Sequence, residues 1–88
     1  MTEPHKAANR MLRERGYLVI GALRYCKFEI GQTLWNWAGS VLPFEIKITA
    51  KTNRADWNAQ YEMLFGIAPP KHRDNGRRFY RAVRVKGK

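Results

Sequence analysis

The chain predicts an α+β fold: one small domain in the order α-β-β-β-α-β, with one or two helices covering a curled antiparallel sheet. Three observations carry this reading. At 88 residues the chain is far below the roughly 250 at which cores divide, so one core serves the whole chain. That core is well supplied, because 44% of residues are hydrophobic and eleven are aromatic. Finally, helical spacing occurs in two segments and period-two alternation in four, with Gly, Pro and Asn between them.

Residues 4–15 read as the first helix, within an N-terminal unit spanning 1–16. Thr2 offers a cap, Pro4 sits near the first turn where its missing N–H is harmless, and Ala7, Ala8, Met11 and Leu12 share a stripe. Gly16 ends it. Lys6, Arg10, Arg13 and Arg15 fall on the remaining, solvated surface. Residues 17–50 read as a β-meander of three strands. In "YLVIGALRYCKF" (17–28), β-branched and aromatic residues dominate, and Gly21 would be costly in a helix but natural at a strand bulge. Cys26 there reads as a small packed residue. In "EIGQTLWNW", Gly31 marks a turn, and Thr33, Trp35 and Trp37 fall on one face, the two tryptophans as packing surface or as an exposed aromatic pair.

"AGS" (38–40) is a loop or hairpin turn. "LPFEIKITA" (42–50) then sets Phe44, Ile46 and Ile48 against Glu45, Lys47 and Thr49. Phe28 and Phe44 read as core. Residues 53–66 form the clearest helix: Asn53 or Thr52 caps it, Asp56 lies in the first turn, and Trp57, Tyr61, Leu64 and Phe65 keep helical spacing, Trp57 as core. Gly66 stops it. Residues 67–77 form a Pro-rich basic loop in which Asn75-Gly76 favours a left-handed turn. Residues 78–86 alternate as the last strand, with Phe79, Val83 and Val85 on one face and Arg78, Tyr80, Arg84 and Lys86 on the other.

The charge is unevenly spread. The formal net charge is +10, yet residues 71–88 hold eight basic and one acidic side chain, a net of +7, while residues 1–70 hold nine and six, a net of +3. Such a density repels itself in the compact state and points to a polyanionic partner. No apolar run reaches membrane-spanning length, no secretory signal opens the chain, and one cysteine cannot close an internal disulfide, so a cytosolic protein is expected.

One cysteine and two histidines, His5 and His72, do not supply a zinc site, and the seven acids are scattered where a two-metal nuclease would cluster them. No glycine-rich phosphate loop appears. No cofactor, no metal and no catalytic residue is therefore expected. The expected function is nucleic-acid binding, to DNA or RNA, through phosphate contacts from Lys71, His72, Arg73, Arg77, Arg78, Arg81, Arg84 and Lys86, with Tyr80 stacking on an unpaired base.

Cations at alternate strand positions stand about 6.6–7 Å apart, on the order of the phosphate separation along one nucleic-acid strand. Arg81 falls on the apolar face, at a sheet edge or paired with Glu45 or Glu62. A charged terminal strand also guards a sheet edge against aggregation, a role in which Lys is favoured. Here Arg outnumbers Lys five to three within residues 71–88, and Arg grips phosphate bidentately.

Two other functions fit the composition. One is a protein-interaction module or inhibitor, for example virus-encoded, whose basic face docks on an acidic protein or a nucleic-acid enzyme. The other is a metal-free ribonuclease with His72, beside Asp74, and Tyr80 as acid and base and Arg78 or Arg81 on the phosphate.

Overall fold

The computed structural model describes residues 3–23, 26–70 and 76–85, with side chains from His5 onward. Its elements are α1 (Glu3–Glu14), β1 (Leu18–Ala22), β2 (Thr33–Trp37), β3 (Ser40–Thr52), α2 (Arg54–Phe65) and β4 (Arg78–Arg84). The α-β-β-β-α-β order and the α+β class are those the sequence predicts. The strands form one curled antiparallel sheet in the order β1-β4-β3-β2.

That order corrects the meander. β1 pairs with β4 and not with β2, so the carboxyl-terminal strand runs through the middle of the sheet. Only β2 and β3 form a local hairpin, turned by Ala38 and Gly39 at φ +54° and +79°. Two successive left-handed residues give the turn whose twist matches that of the flanking strands.

The helix ends follow local chemistry. Gly16 lies at φ +84°, and its N–H bonds back to Met11 and Leu12 as α1 ends. At α2 the Asn53 side chain accepts from the Asp56 N–H, and Gly66, at φ +73°, returns its N–H to Glu62. The Thr2 cap and the Asn75 half of the predicted turn lie outside the described residues.

The core fills the concave side of the sheet. Leu18 and Ala22 of β1, Leu42, Phe44, Ile46 and Ile48 of β3, and Tyr80 and Ala82 of β4 meet Ala8 and Met11 of α1, all buried. β1 is shorter than the predicted 17–28. Residues 26–29 lie outside any strand, and the Phe28 ring stands edge-on to Tyr80 at 5.5 Å. Cys26 is exposed and outside any strand, contrary to its expected packing.

Gly21 carries no bulge. Its space is taken by the Phe79 ring, which a Cβ at that position would meet at 3.3 Å.

β2 breaks the expected alternation. The register shifts between Leu34 and Asn36, so Leu34 and Trp37, three apart, both reach the core, and Trp35 is left 57% exposed. Trp37 then closes the curl: its Nε1–H donates to the Val19 carbonyl of β1, 3.1 Å away. Gln60 of α2 completes this seam. Its Oε1 accepts from the Val19 N–H at 2.8 Å and its Nε2 donates to the same carbonyl at 3.1 Å, an imitation of a neighbouring strand. An edge that would otherwise expose strand donors and acceptors is thereby satisfied by two side chains.

α2 consequently does not bury the predicted stripe. Gln60 is its one buried residue, Met63 and Leu64 lean on the core, and Phe65 is exposed. Trp57 packs outside the main core, its ring 6.1 Å from that of Phe79 on the convex side of β4.

Candidate nucleic-acid interface

Because β4 is central and helices approach both sides, neither of its faces is simply the solvent face. Tyr80, read from the sequence as an outward stacking residue, is fully buried. Its hydroxyl accepts from the Phe28 N–H at 3.3 Å, so neither the ring nor the hydroxyl is presented to a ligand as a stacking surface or a proton donor.

Arg81 points to the opposite face and is committed. Its Nε–H donates to Asp56 Oδ2 at 2.8 Å, so its acid is Asp56 of α2 and not Glu45 or Glu62.

Asp56 is the hub of a polar cluster. Besides Arg81 it accepts from Thr52 Oγ1 at 2.9 Å, from the Tyr17 hydroxyl at 3.0 Å and from the Arg15 guanidinium. Arg15 therefore leaves the solvated face assigned to it on α1. The guanidinium carbons of Arg15 and Arg81 lie 4.6 and 4.4 Å from the Tyr17 ring centroid, within cation–π range.

Burial alone would raise the Asp56 pKa, but the hydrogen bonds from Thr52, Arg81, Arg15 and Tyr17 outweigh it and hold the carboxyl below its ordinary range. The same bond to Asp56 lifts Arg81 above its usual value. Two of the protein's cations thus serve the fold.

Other cations converge elsewhere. At the start of β4, Arg77 and Arg78 meet Lys51, Thr52, Asn53 and Arg54 from the β3–α2 junction around a cleft of about 310 Å³ that Phe79 and Tyr80 also line. Among the described residues that line it, four are basic and none is acidic.

The local geometry follows from a second irregularity. The β3–β4 register shifts between Ile48 and Ala50, so Lys51 comes opposite Tyr80 and Thr52 opposite Phe79. The first turn of α2 begins directly after, carrying Arg54 into the cleft wall. There its guanidinium carbon lies 5.1 Å from the Phe79 ring centroid. Arg54 Nε is buried and has no hydrogen-bond acceptor. Arg78 donates to the Cys26 carbonyl at 3.5 Å, tying the cleft to the 26–29 segment.

The predicted residues therefore separate. Arg77 and Arg78 share the cleft, Arg81 is in the Asp56 cluster, and Arg84 sits at the far end of β4, its guanidinium carbon 4.5 Å from the Phe44 ring centroid. Six positions along a strand put Arg78 and Arg84 about 20 Å apart, so they do not form one patch. Lys71, His72, Arg73 and Lys86 lie outside the described residues.

Nothing in the sequence marks Lys51 and Arg54 as site residues. A lysine ending a strand and an arginine opening a helix are ordinary in one dimension, and only the Ile48/Ala50 shift aims them at β4. No family model, curated protein or solved structure matches this chain, so what the cleft can do rests on its own chemistry. No helix among the described residues is long and apolar enough to cross a membrane.

Proposed function

We propose that this protein is a nucleic-acid-binding module that holds phosphates at the cleft formed by Lys51, Arg54, Arg77 and Arg78. One observation carries the reading: four cations, Lys51, Arg54, Arg77 and Arg78, line a single concavity, and no acid lines it among the described residues. Guanidinium groups offer paired donors matched to phosphate oxygens, and phosphate contacts supply most sequence-independent affinity for nucleic acid. The contact set moves from the whole of β4 to its first residues and the β3–α2 junction. The reading is of a binding protein, acting in the cytosol, and assigns no reaction to it.

The test is the salt dependence of binding to random single- and double-stranded oligonucleotides, followed by fluorescence anisotropy. Each phosphate neutralised contributes roughly 0.7 to 0.9 to the slope of log affinity against log salt. Changing Lys51, Arg77 and Arg78 together to Gln should lower that slope by about two to three. An unaltered slope sinks the proposal.

A second reading, docking on an acidic protein, draws on Trp35 and on Val41, which is 81% exposed on the same hairpin. Exposed aromatic residues often anchor interfaces. It gains ground if the purified chain ignores oligonucleotides at moderate salt yet Trp35→Ala abolishes a defined protein complex that survives nuclease treatment.

A further inference from the structure

We infer that Trp35, with Lys47 beside it, is a base-stacking contact that makes this protein a reader of single-stranded nucleic acid. This rests on the nucleic-acid reading above and adds to the cleft a second contact of different chemistry.

The fold leaves the Trp35 ring without a polar or aromatic partner. Every other aromatic side chain among the described residues is buried in the core, paired with another ring or set against a cation. The Trp35 side chain takes part in no ring pair, cation–π contact or hydrogen bond among those residues, and more than half of it is exposed. An aromatic face is thus open to a ligand.

Its neighbours hold it ready. Leu34 and Trp37 both reach the core, which pins β2 on either side of Trp35. A ring carried by a strand fixed in this way loses little freedom when a ligand arrives. Because Leu34 is turned inward, Thr33 and Trp35 fall on the other face of the sheet. Lys47 pairs with Thr33 and is therefore the diagonal neighbour of Trp35, about 7–8 Å away and within reach of a long side chain. Glu45, two residues back on β3, shares that face but is partly buried, whereas Lys47 is exposed and joins no ion pair among the described residues. A ring beside a cation matches a base beside its phosphate.

Charge selects among the partners that could cover such a face. A second copy of this chain would bring another +10 to the contact, which opposes self-association there. An acidic protein surface can meet the charge, but a single strand supplies a π-face with every phosphate. A duplex keeps its bases stacked on one another and offers a tryptophan only its ends. β3 carries Lys47 and, four residues on, Lys51 of the cleft, so one strand of the sheet bears both contacts.

The experiment follows a fluorescein-labelled single strand of about 12 nucleotides, within the span of known single-strand sites, and the duplex made from it, by anisotropy across a range of salt. Trp35→Ala should weaken single-strand binding by about five- to 150-fold, the worth of one stacked base, and leave duplex binding within about twofold. Its salt slope should not move, because stacking releases no counterion, whereas Lys47→Gln should lower the single-strand slope by about 0.7. Trp35→Phe, which keeps a π-face, should retain most of the affinity.

A single-strand loss under about twofold for Trp35→Ala, with the slope still set by Lys51, Arg77 and Arg78, overturns this inference and leaves the nucleic-acid reading standing. An equal loss on strand and duplex overturns it as well, since unpaired bases are then not what the ring meets. If neither oligonucleotide binds the wild type, both readings fall. One measurement needs no variant. Trp37 is buried and Trp57 partly so, hence acrylamide quenching of tryptophan emission reports chiefly on Trp35, and a saturating single strand should shield it. Emission as open to acrylamide with the single strand as without it overturns the inference.

Discussion

Removing the Asp56 carboxylate should destabilise the fold more than any other loss of a single charge. The side chains of Asp56 and Arg15 are 8% and 13% exposed, so this pair is largely covered by protein. Breaking a buried pair costs about 3–5 kcal/mol and an exposed one about 0–1. The Arg81 arm is exposed to solvent and adds little, whereas Thr52 and Tyr17 lose a charged acceptor. For Asp56→Ala we expect a loss of about 2–4 kcal/mol. Asp56→Asn keeps one acceptor oxygen and should lose roughly half as much.

A chain of this length has on the order of 4–13 kcal/mol of stability in total, so the alanine variant sits near its limit. Its melting temperature should fall by about 10–25 °C.

Acid pH supplies the decisive control. The Asp56 pKa is lowered in the folded state. Its contribution is therefore fully present above the unfolded value of about 4 and is lost as pH falls through the lower folded value. The stability gap between the wild type and Asp56→Asn, measured by urea denaturation with tryptophan fluorescence, should be constant at neutral pH and close as pH drops below about 4. A gap under about 0.5 kcal/mol at pH 7, within the ordinary range for surface substitutions, would show that the cluster is solvated and the reasoning wrong. So would a gap indifferent to acid.

The remaining predictions concern the seam and the hairpin. Gln60→Leu keeps the volume but strips the acceptor from the buried Val19 N–H, while the Val19 carbonyl retains Trp37; unfolding in urea should show a loss of about 1–3 kcal/mol, and a neutral result would mean that the seam does not need α2. Ala38, at φ +54°, occupies a position that favours Asn or Gly, so Ala38→Asn should stabilise by about 0.5–1 kcal/mol and raise the melting temperature by several degrees. A lower melting temperature would contradict the turn geometry.

What was legible in the sequence is what depends on near neighbours. Asn53, Gly66 and Gly16 set helix ends through bonds spanning a few residues, and Ala38-Gly39 turns the hairpin between its own flanks. The alternation of Leu42, Phe44, Ile46 and Ile48 reports one buried face because β3 keeps its phase across that run.

The rest depends on partners far along the chain. Alternation puts Tyr80 on one face with Arg78, Arg84 and Lys86 and so reads it as outward, but β4 is sandwiched between β1 and β3, and the ring packs in the core with Ala8 and Met11 of α1 and against Phe28. The partner of Arg81 lies 25 residues away, and that of Arg15 lies 41 away. Two register shifts, at Leu34/Asn36 and Ile48/Ala50, reset which side chains face inward. No composition or period announces a bulge. For that reason the sequence pattern puts Trp35 and Trp37 on one face and gives no sign of where Lys51 points.

The cluster that holds the fold and the cleft proposed to hold phosphate are mechanically joined at Thr52. Its hydroxyl donates to Asp56, and the residue itself lines the cleft between Lys51 and Asn53. Phe79 plays a parallel part on β4, carrying Arg54 near its ring while facing Gly21 and Trp57. Lys51, Arg54 and Arg78 are thus carried by β3, α2 and β4, and Arg77 immediately precedes β4.

That division explains how so basic a chain folds. Asp56 absorbs two arginines, Arg15 and Arg81, while Lys51, Arg54, Arg77 and Arg78 converge on one cleft, where we propose that an anion is held. Ligand binding and folding are then coupled by mass action: an anion at about a hundred times its dissociation constant would add roughly 2.7 kcal/mol to stability.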